Sequence, residues 1–241
     1  MDLFEKIIKF YAKYENKINN AVRLLILFLL FYYSGYLQYI PVLLFRIKNI
    51  TGTTSVILNT YSNTVVLLVF ILVYFKDLKK EWKTFRTKLM ENLDTGIKYY
   101  FLGLFLMMVS NLILMYLFKA GQSNNEQAVQ QMISSFPWLM LINAGLIAPM
   151  VEEILFRKSI RDLINNKYIY VLVSGLTFGL MHVITSSTSL LSFMFFIPYT
   201  FLGLAFAATN YKTKTVFTSI IFHITHNVVL IMISILPLLL K

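Results

Sequence analysis

The 241-residue sequence contains no cysteine. Disulfide scaffolds, thiolate metal sites and cysteine nucleophiles are therefore excluded, and cysteine usage gives no information on the redox compartment. Charged residues are also scarce, at 14% of the chain, whereas a soluble domain contains about 25%. With 58% hydrophobic residues and a mean hydropathy of +0.68, the chain has the composition of a membrane protein.

Apolar runs of about 20 residues, the length needed to cross a bilayer, recur along the chain. We expect spans at residues 22–45, 55–75, 98–118, 137–156, 169–186, 190–210 and 216–239. The first of these contains Pro41, which predicts a kink or a helix pair. The predicted fold class is all-α, a polytopic transmembrane helix bundle of about seven to eight membrane helices.

The net charge of +11 lies in short blocks between the apolar runs and is not spread over a soluble face. This pattern favours anionic lipid headgroups over nucleic acid as a partner. If the N-terminus is cytosolic, all but four of the 22 Lys and Arg residues fall on the cytosolic side; the exceptions are Arg46, Lys48, Lys119 and Lys241. The loop GQSNNEQAVQQMISS has no basic residue, as expected of an exported loop. We predict a multi-pass protein of the cell membrane with a cytosolic N-terminus.

The longest basic block is KDLKKEWKTFRTKLMENLDTGIK, at residues 76–98. Its mixture of basic and apolar residues is typical of a helix that lies in the membrane interface. We expect a cytosolic surface helix here, with Trp82, Phe85 and Leu89 facing the lipid headgroups.

An ionisable cluster interrupts one apolar run in the stretch PMVEEILFR, which begins at Pro149. Charges at membrane depth are costly, so such a cluster is by default a hypothesis of function. Glu153 and Arg157 are four residues apart, in the favourable order for an ion pair on one helix face. Glu152 points about 100° away from Glu153 and is available for another task. We expect Pro149 to kink this helix.

All three histidines lie downstream and within apolar spans. His223 and Asn227 are four residues apart, so they project from the same side of one helix, whereas His226 is expected to face elsewhere. Buried polar groups in lipid need partners within the protein or in trapped water. We therefore expect Glu152, His182, His223 and Asn227 to meet in one polar cavity that opens toward the cytosolic leaflet.

These residue types suit hydrolysis. A carboxylate or an imidazole within hydrogen-bond reach can take a proton from water. Imidazole and carboxamide N–H groups can stabilise the oxyanion of a tetrahedral intermediate. No Ser–His–Asp set stands out in these spans.

Three stretches resemble the motifs of one known family. EEILFR, FGLMH and HITHN are similar to the Glu-Glu-x-x-x-Arg, Phe-x-x-x-His and His-x-x-x-Asn motifs of the CPBP intramembrane glutamic proteases, also called Abi or CAAX-protease-like. The motifs occur in family order, and the resemblance covers roughly residues 137–235. It divides the chain into residues 1–130, N-terminal membrane helices with cytosolic amphipathic segments, and residues 131–241, a CPBP/Abi-like catalytic membrane core.

The resemblance implies an endopeptidase with no cofactor and no catalytic metal. Glu152 would be the base that activates water, and His182 would help to orient that water. His223 and Asn227 would form the oxyanion hole.

Supporting roles follow from the same resemblance. Glu153 and Arg157 would hold the motif helix in place, and Phe178 would pack beside the site. His226 is not required by the family pattern.

The sequence therefore predicts an intramembrane endopeptidase that hydrolyses a peptide bond of a membrane-associated protein or peptide. One alternative is a catalytically inactive membrane scaffold or bacteriocin self-immunity protein of the same fold. Another is a zinc-dependent membrane hydrolase with His182, His223 and Glu152 as ligands, although the chain has no His-Glu-x-x-His pair. The Lys-, Asn- and Ile-rich composition favours a bacterial origin.

Overall fold

The computed structural model describes residues 3–240, with side chains for Glu5 and from residue 14 onward, and every regular element in that range is a helix. This confirms the predicted all-α class. The helices are α1 (Leu3–Tyr32), α2 (Tyr39–Leu44), α3 (Gly52–Thr87), α4 (Leu89–Phe118), α5 (Asn124–Ser135), α6 (Pro137–Leu163), α7 (Lys167–Met181), α8 (Leu190–Phe193), α9 (Phe196–Thr213) and α10 (Val216–Leu239).

Five helical segments are long and apolar enough to cross a membrane: α3, α4, α6, the continuous stretch Leu190–Thr213 that includes α8 and α9, and α10. A sixth span results if the bent pair Tyr14–Tyr32 and Ser34–Leu44 crosses as one unit. Helix α7 has 15 residues, so it rises only about 22 Å and is shorter than the hydrocarbon core. The multi-pass membrane architecture is thus confirmed, and the predicted span at residues 169–186 corresponds to this short helix.

The break in the first predicted span is not at Pro41. The chain bends by 55° between Tyr32 and Ser34 and continues through a 3₁₀ turn at Ser34–Gln38 into α2. Pro41 is the third residue of α2, where its missing N–H costs no hydrogen bond within the helix.

The expected surface helix at residues 76–98 is also absent from the described structure. Helix α3 continues to Thr87 and α4 begins at Leu89, so this segment forms the ends of two long helices. The buried stripe of α3 continues into it at helical spacing, which keeps the chain helical and packed. Phe85 is consequently buried beside Phe217, whereas Trp82 and Leu89 are partly exposed.

Ionic contacts between largely buried side chains lie at one end of the bundle, where α3 ends and α10 begins. The Glu81 carboxylate accepts hydrogen bonds from Arg161 Nη2 at 2.5 Å and from the Val216 backbone N–H at 2.7 Å. Lys158 Nζ donates to both carboxylate oxygens of Asp162 at 2.6 Å. We call this the basic end, because most of the basic residues lie near it.

The other end of the bundle carries α5. The Thr53 hydroxyl donates to the Ser135 carbonyl at 3.2 Å, and Gln130 Nε2 donates to Ser234 Oγ at 2.8 Å. Helix α5 therefore packs where α3 begins and α10 ends. We call this the α5 end; Lys241, expected on the same side, lies outside the described residues.

Two glycines bring α7 and α9 close together. A Cβ atom on Gly203 would lie 3.0 Å from the backbone oxygen of Gly175, so a larger residue would push the helices apart. Small residues at such crossings are typical of helix packing in membranes. The contact fixes the C-terminal half of α7, which ends just before His182.

Candidate active site

Glu152 and Glu153 lie between two π-helical segments of α6, at Asn143–Ile147 and Ile154–Ser159. Such π segments are rare and often occur at functional sites. Pro149 follows the first of them, and the wider turn accommodates a residue that has no N–H. The irregularity expected at Pro149 is therefore a π segment in the turn that precedes it.

Glu153 and Arg157 form the expected ion pair, at 3.1 Å from Nε to Oε2, with both side chains fully buried. Arg157 Nη1 also donates to the carbonyl and hydroxyl oxygens of Ser174 on α7, at 3.2 and 2.8 Å. The guanidinium lies 4.7 Å from the Phe178 ring centre. A buried charge is tolerated only with such partners, so the arginine joins α6 to α7.

Glu153 has a second contact that the sequence analysis missed. Its Oε1 atom lies 3.0 Å from Nδ1 of His223 on α10. A carboxylate accepts hydrogen bonds only, so the imidazole donates from Nδ1 and its Nε2 atom points to the other side. Glu153 thus links Arg157 to His223 and is in contact with the candidate oxyanion hole.

Glu152 faces both motif histidines. Its Oε2 atom lies 3.8 Å from Nε2 of His182 and 3.8 Å from Nε2 of His223. Both distances are too long for a direct hydrogen bond. The same oxygen is buried and has no hydrogen-bond partner among residues 3–240. A water molecule between the three groups would be within reach of each.

His182 is held on three sides. Its Nδ1 donates to the Phe178 carbonyl at 2.9 Å, which leaves Nε2 of a neutral ring as an acceptor toward Glu152. The ring lies 4.4 Å from the Phe178 ring and stacks on Tyr199 at 4.6 Å. Its orientation toward Glu152 is therefore fixed by packing as well as by a hydrogen bond.

Asn227 lines a cavity together with His182 and His223, whereas Glu152, which we expected in the same cavity, is not among the residues that line it. The Asn227 Nδ2 donates to the Ala144 carbonyl in the first π segment at 2.8 Å. A carboxamide nitrogen has two hydrogens, so one remains for a ligand.

His226 also lines the cavity, contrary to the expectation that it would face elsewhere. His223 and His226 are three residues apart, and residues at this spacing are neighbours on a helix face. Nδ1 of His226 lies 3.3 Å from the Tyr100 hydroxyl on α4.

The cavity has a volume of about 120 Å³, and its walls extend from His182 and His223 to Asn125, Glu126 and Gln130 of α5. It therefore reaches toward the α5 end of the bundle and not toward the basic end. If the basic end is cytosolic, α5 lies on the exported side. The cavity then reaches away from the cytosolic leaflet, contrary to our expectation of an opening toward that leaflet.

Comparison with known proteins agrees with the three motifs. Residues 134–229 match the family described as "Type II CAAX prenyl endopeptidase Rce1-like". This range includes both glutamates and all three histidines of the site, but not Tyr100 or the cavity-lining residues of α5. The described residues contain no group of three or more His, Cys, Asp or Glu side chains that could hold a metal ion.

The chain is also similar to a protein named as a membrane peptidase, over most of that protein's length. The chain is 28% identical over 178 residues to the protein named "Putative membrane peptidase YdiL" of Bacillus subtilis (strain 168). The match covers 70% of this chain and 68% of the relative. No solved structure matches the chain. The two matches agree with the three motifs and support membership of the chain in the CPBP family of membrane proteases.

Proposed function

We propose that this protein is a metal-independent intramembrane endopeptidase that hydrolyses a peptide bond of a membrane-associated protein or peptide with water activated by Glu152. The observation that carries the proposal is the environment of Glu152 Oε2. This buried oxygen has no hydrogen-bond partner among the described residues and lies 3.8 Å from Nε2 of two histidines. General-base catalysis needs this kind of direct or one-water contact.

The first step is the attack of water on the substrate carbonyl carbon. The Glu152 carboxylate takes one proton from the water as its oxygen forms the new C–O bond. His182, which donates from Nδ1 to Phe178, offers Nε2 as an acceptor and holds the second hydrogen of the water. Two acceptors thus orient one nucleophile.

The oxyanion that forms from the substrate carbonyl oxygen needs hydrogen-bond donors. Asn227 supplies the Nδ2–H that is not bonded to Ala144. His223 donates from Nε2 when its ring is an imidazolium, and the Glu153 carboxylate at Nδ1 stabilises that positive charge, as a buried carboxylate does in catalytic triads. Each donor is worth roughly 2.7–4 kcal/mol of transition-state stabilisation.

Collapse of the tetrahedral intermediate breaks the C–N bond. The proton held by Glu152 passes to the leaving nitrogen, which gives a free amine and a new C-terminal carboxyl group. Glu152 returns to its carboxylate form, so no co-reactant other than water is consumed.

An isotope experiment tests the reaction class. The protein is reconstituted in vesicles that contain anionic lipid, together with a library of lipid-anchored and membrane-spanning peptides, in H₂¹⁸O. We expect products whose new C-terminal carboxyl group carries one ¹⁸O atom from solvent. The absence of any cleavage would instead favour the inactive scaffold or self-immunity protein.

We also propose that the protein lies in the cell membrane with the basic end, and with it the N-terminus, in the cytosol. The proposal is supported by the position of the basic residues near one end of the bundle and by the absence of basic residues from α5. Clusters of exposed lysines and arginines at that end, including Lys79, Lys83 and Arg86, would contact anionic headgroups.

A further inference from the structure

A carboxylate lines the cavity at the α5 end. Glu126 of α5 is half-buried and lines the same cavity as His182, His223 and Asn227. No lysine or arginine is among the described residues that line this cavity. The cavity wall thus carries an uncompensated negative charge in a protein whose net charge is +11.

The Glu126 side chain is not needed to cap its helix. Ser123 is the N-cap of α5, and its hydroxyl accepts from the Glu126 backbone N–H at 3.1 Å. In a capping box, the glutamate side chain would return to the backbone of the N-cap residue. Here Glu126 Oε1 instead accepts from Gln130 Nε2 at 2.8 Å.

This arrangement orients the carboxylate without neutralising it. Gln130 Nε2 also donates to Ser234 Oγ of α10, so the amide is fixed between two helices. Among the side chains that the structure describes, no cation lies within salt-bridge distance of Glu126, although Glu81 pairs with Arg161 and Lys158, and Glu153 pairs with Arg157. A half-buried carboxylate that is held in place without a cation is suited to bind one.

The walls between Glu126 and the histidines are mostly apolar. On α10, the lining residues recur at helical spacing from His223 to Ser234, with Leu230 and Ile231 between them. Ser234 follows His223 by 11 residues, so it lies about 16 Å farther along the helix axis. An extended peptide covers that distance in about five residues.

We infer that Glu126 is a specificity-determining residue that binds a lysine or arginine side chain of the substrate, within about five residues of the scissile bond. The inference rests on the proposed function, because it assumes that the peptide lies along this cavity. The preferred substrate segment is then an apolar stretch that ends in a basic residue. The charge of Glu126 selects the basic residue, and the apolar walls accept the stretch before it.

Matched peptides test this inference by cleavage. Each carries lysine, glutamine or glutamate at one of the five positions on either side of the scissile bond. For wild-type protein, we expect kcat/KM to favour lysine over glutamine at one position by about two- to fivefold, the scale of one partly exposed ion pair. Glu126→Gln should bring this ratio near one, and Glu126→Lys should favour glutamate. Glu91→Gln, which removes an exposed carboxylate at the basic end, should keep the wild-type ratio.

A binding measurement distinguishes failure of this inference from failure of the proposed function. Fluorescence anisotropy of the same peptides on Glu152→Gln protein needs no turnover. We expect the lysine preference in Kd there, and its loss in the Glu152→Gln/Glu126→Gln double variant with unchanged thermal unfolding. A binding preference without any wild-type cleavage would overturn the peptidase proposal and leave the cation site standing. Equal lysine-to-glutamine ratios with and without Glu126, at every position, would overturn the cation site.

Discussion

Glu153 Oε1 lies 3.0 Å from Nδ1 of His223, so the second glutamate of the pair contacts the imidazole whose other nitrogen faces the first glutamate. Glu153 also holds Arg157. One carboxylate therefore has two roles, the ion pair with Arg157 and the orientation of the His223 ring at the candidate oxyanion hole. These two roles can be separated by mutation.

Glu153→Gln should lower both stability and activity. Loss of one partner leaves the Arg157 charge buried and unpaired, which costs about 3–5 kcal/mol. The double variant Glu153→Gln/Arg157→Met removes the unpaired charge and should recover most of the thermal stability in detergent. Its cleavage rate should stay low, because His223 still lacks its carboxylate. Recovery of activity together with stability would show that Glu153 acts through structure alone.

Asn227→Ala should lower kcat by roughly 10²–10³ with little change in KM, because the lost N–H contacts the oxyanion and not the ground-state peptide. The variant also loses the hydrogen bond to the Ala144 carbonyl. Asn59→Ala is the matched control, because Asn59 accepts from Asn143 Nδ2 at 2.7 Å, in the same π segment, and does not line the cavity. A similar loss of kcat in the control would show that the π segment, and not the N–H donor, is responsible.

The proposed orientation predicts which positions an impermeant thiol reagent can label. The chain has no native cysteine, so single cysteines can be introduced without a background. Cysteine at the exposed position Gln122 should be labelled from outside intact cells, and cysteine at Lys88 should be labelled only after the membrane is opened. The reverse pattern would place the basic end outside.

Removal of metal ions should leave the rate of the wild-type protein unchanged. The proposed chemistry moves one proton from water through Glu152 to the leaving nitrogen and uses no Lewis acid. A strong chelator added to reconstituted protein, followed by dialysis and a cleavage assay, checks this expectation. Loss of activity that added zinc restores would support the second alternative, a zinc-dependent hydrolase with His182, His223 and Glu152 as ligands.

The sequence was sufficient to predict the fold class and the family resemblance that the comparisons support. Long apolar runs indicate that the chain spans a membrane. Polar residues at membrane depth are rare, which is why the sequence draws attention to Glu152, His182, His223 and Asn227. Spacing alone also predicted the pair of Glu153 and Arg157, since both residues lie on one helix. These predictions depend on local periodicity.

Contacts between distant helices could not be predicted in the same way. The approach of Glu153 to His223, the hydrogen bond from Asn227 to Ala144 and the position of α5 beside the cavity depend on how α5, α6 and α10 pack together. The presence of His226 in the cavity was predictable, because a spacing of three residues from His223 already places the two side chains side by side. The π segments of α6 have no known signal in this sequence beyond Pro149.

The most direct test of the central claim compares Glu152→Gln with wild-type protein in the reconstituted cleavage assay. Glutamine keeps the shape of the side chain and removes the proton acceptor, so cleavage should fall to the background of protein-free vesicles while thermal unfolding is unchanged. Glu91→Gln serves as the control for loss of a carboxylate elsewhere. Cleavage by Glu152→Gln at the wild-type rate would contradict the assignment of Glu152 as the base that activates water.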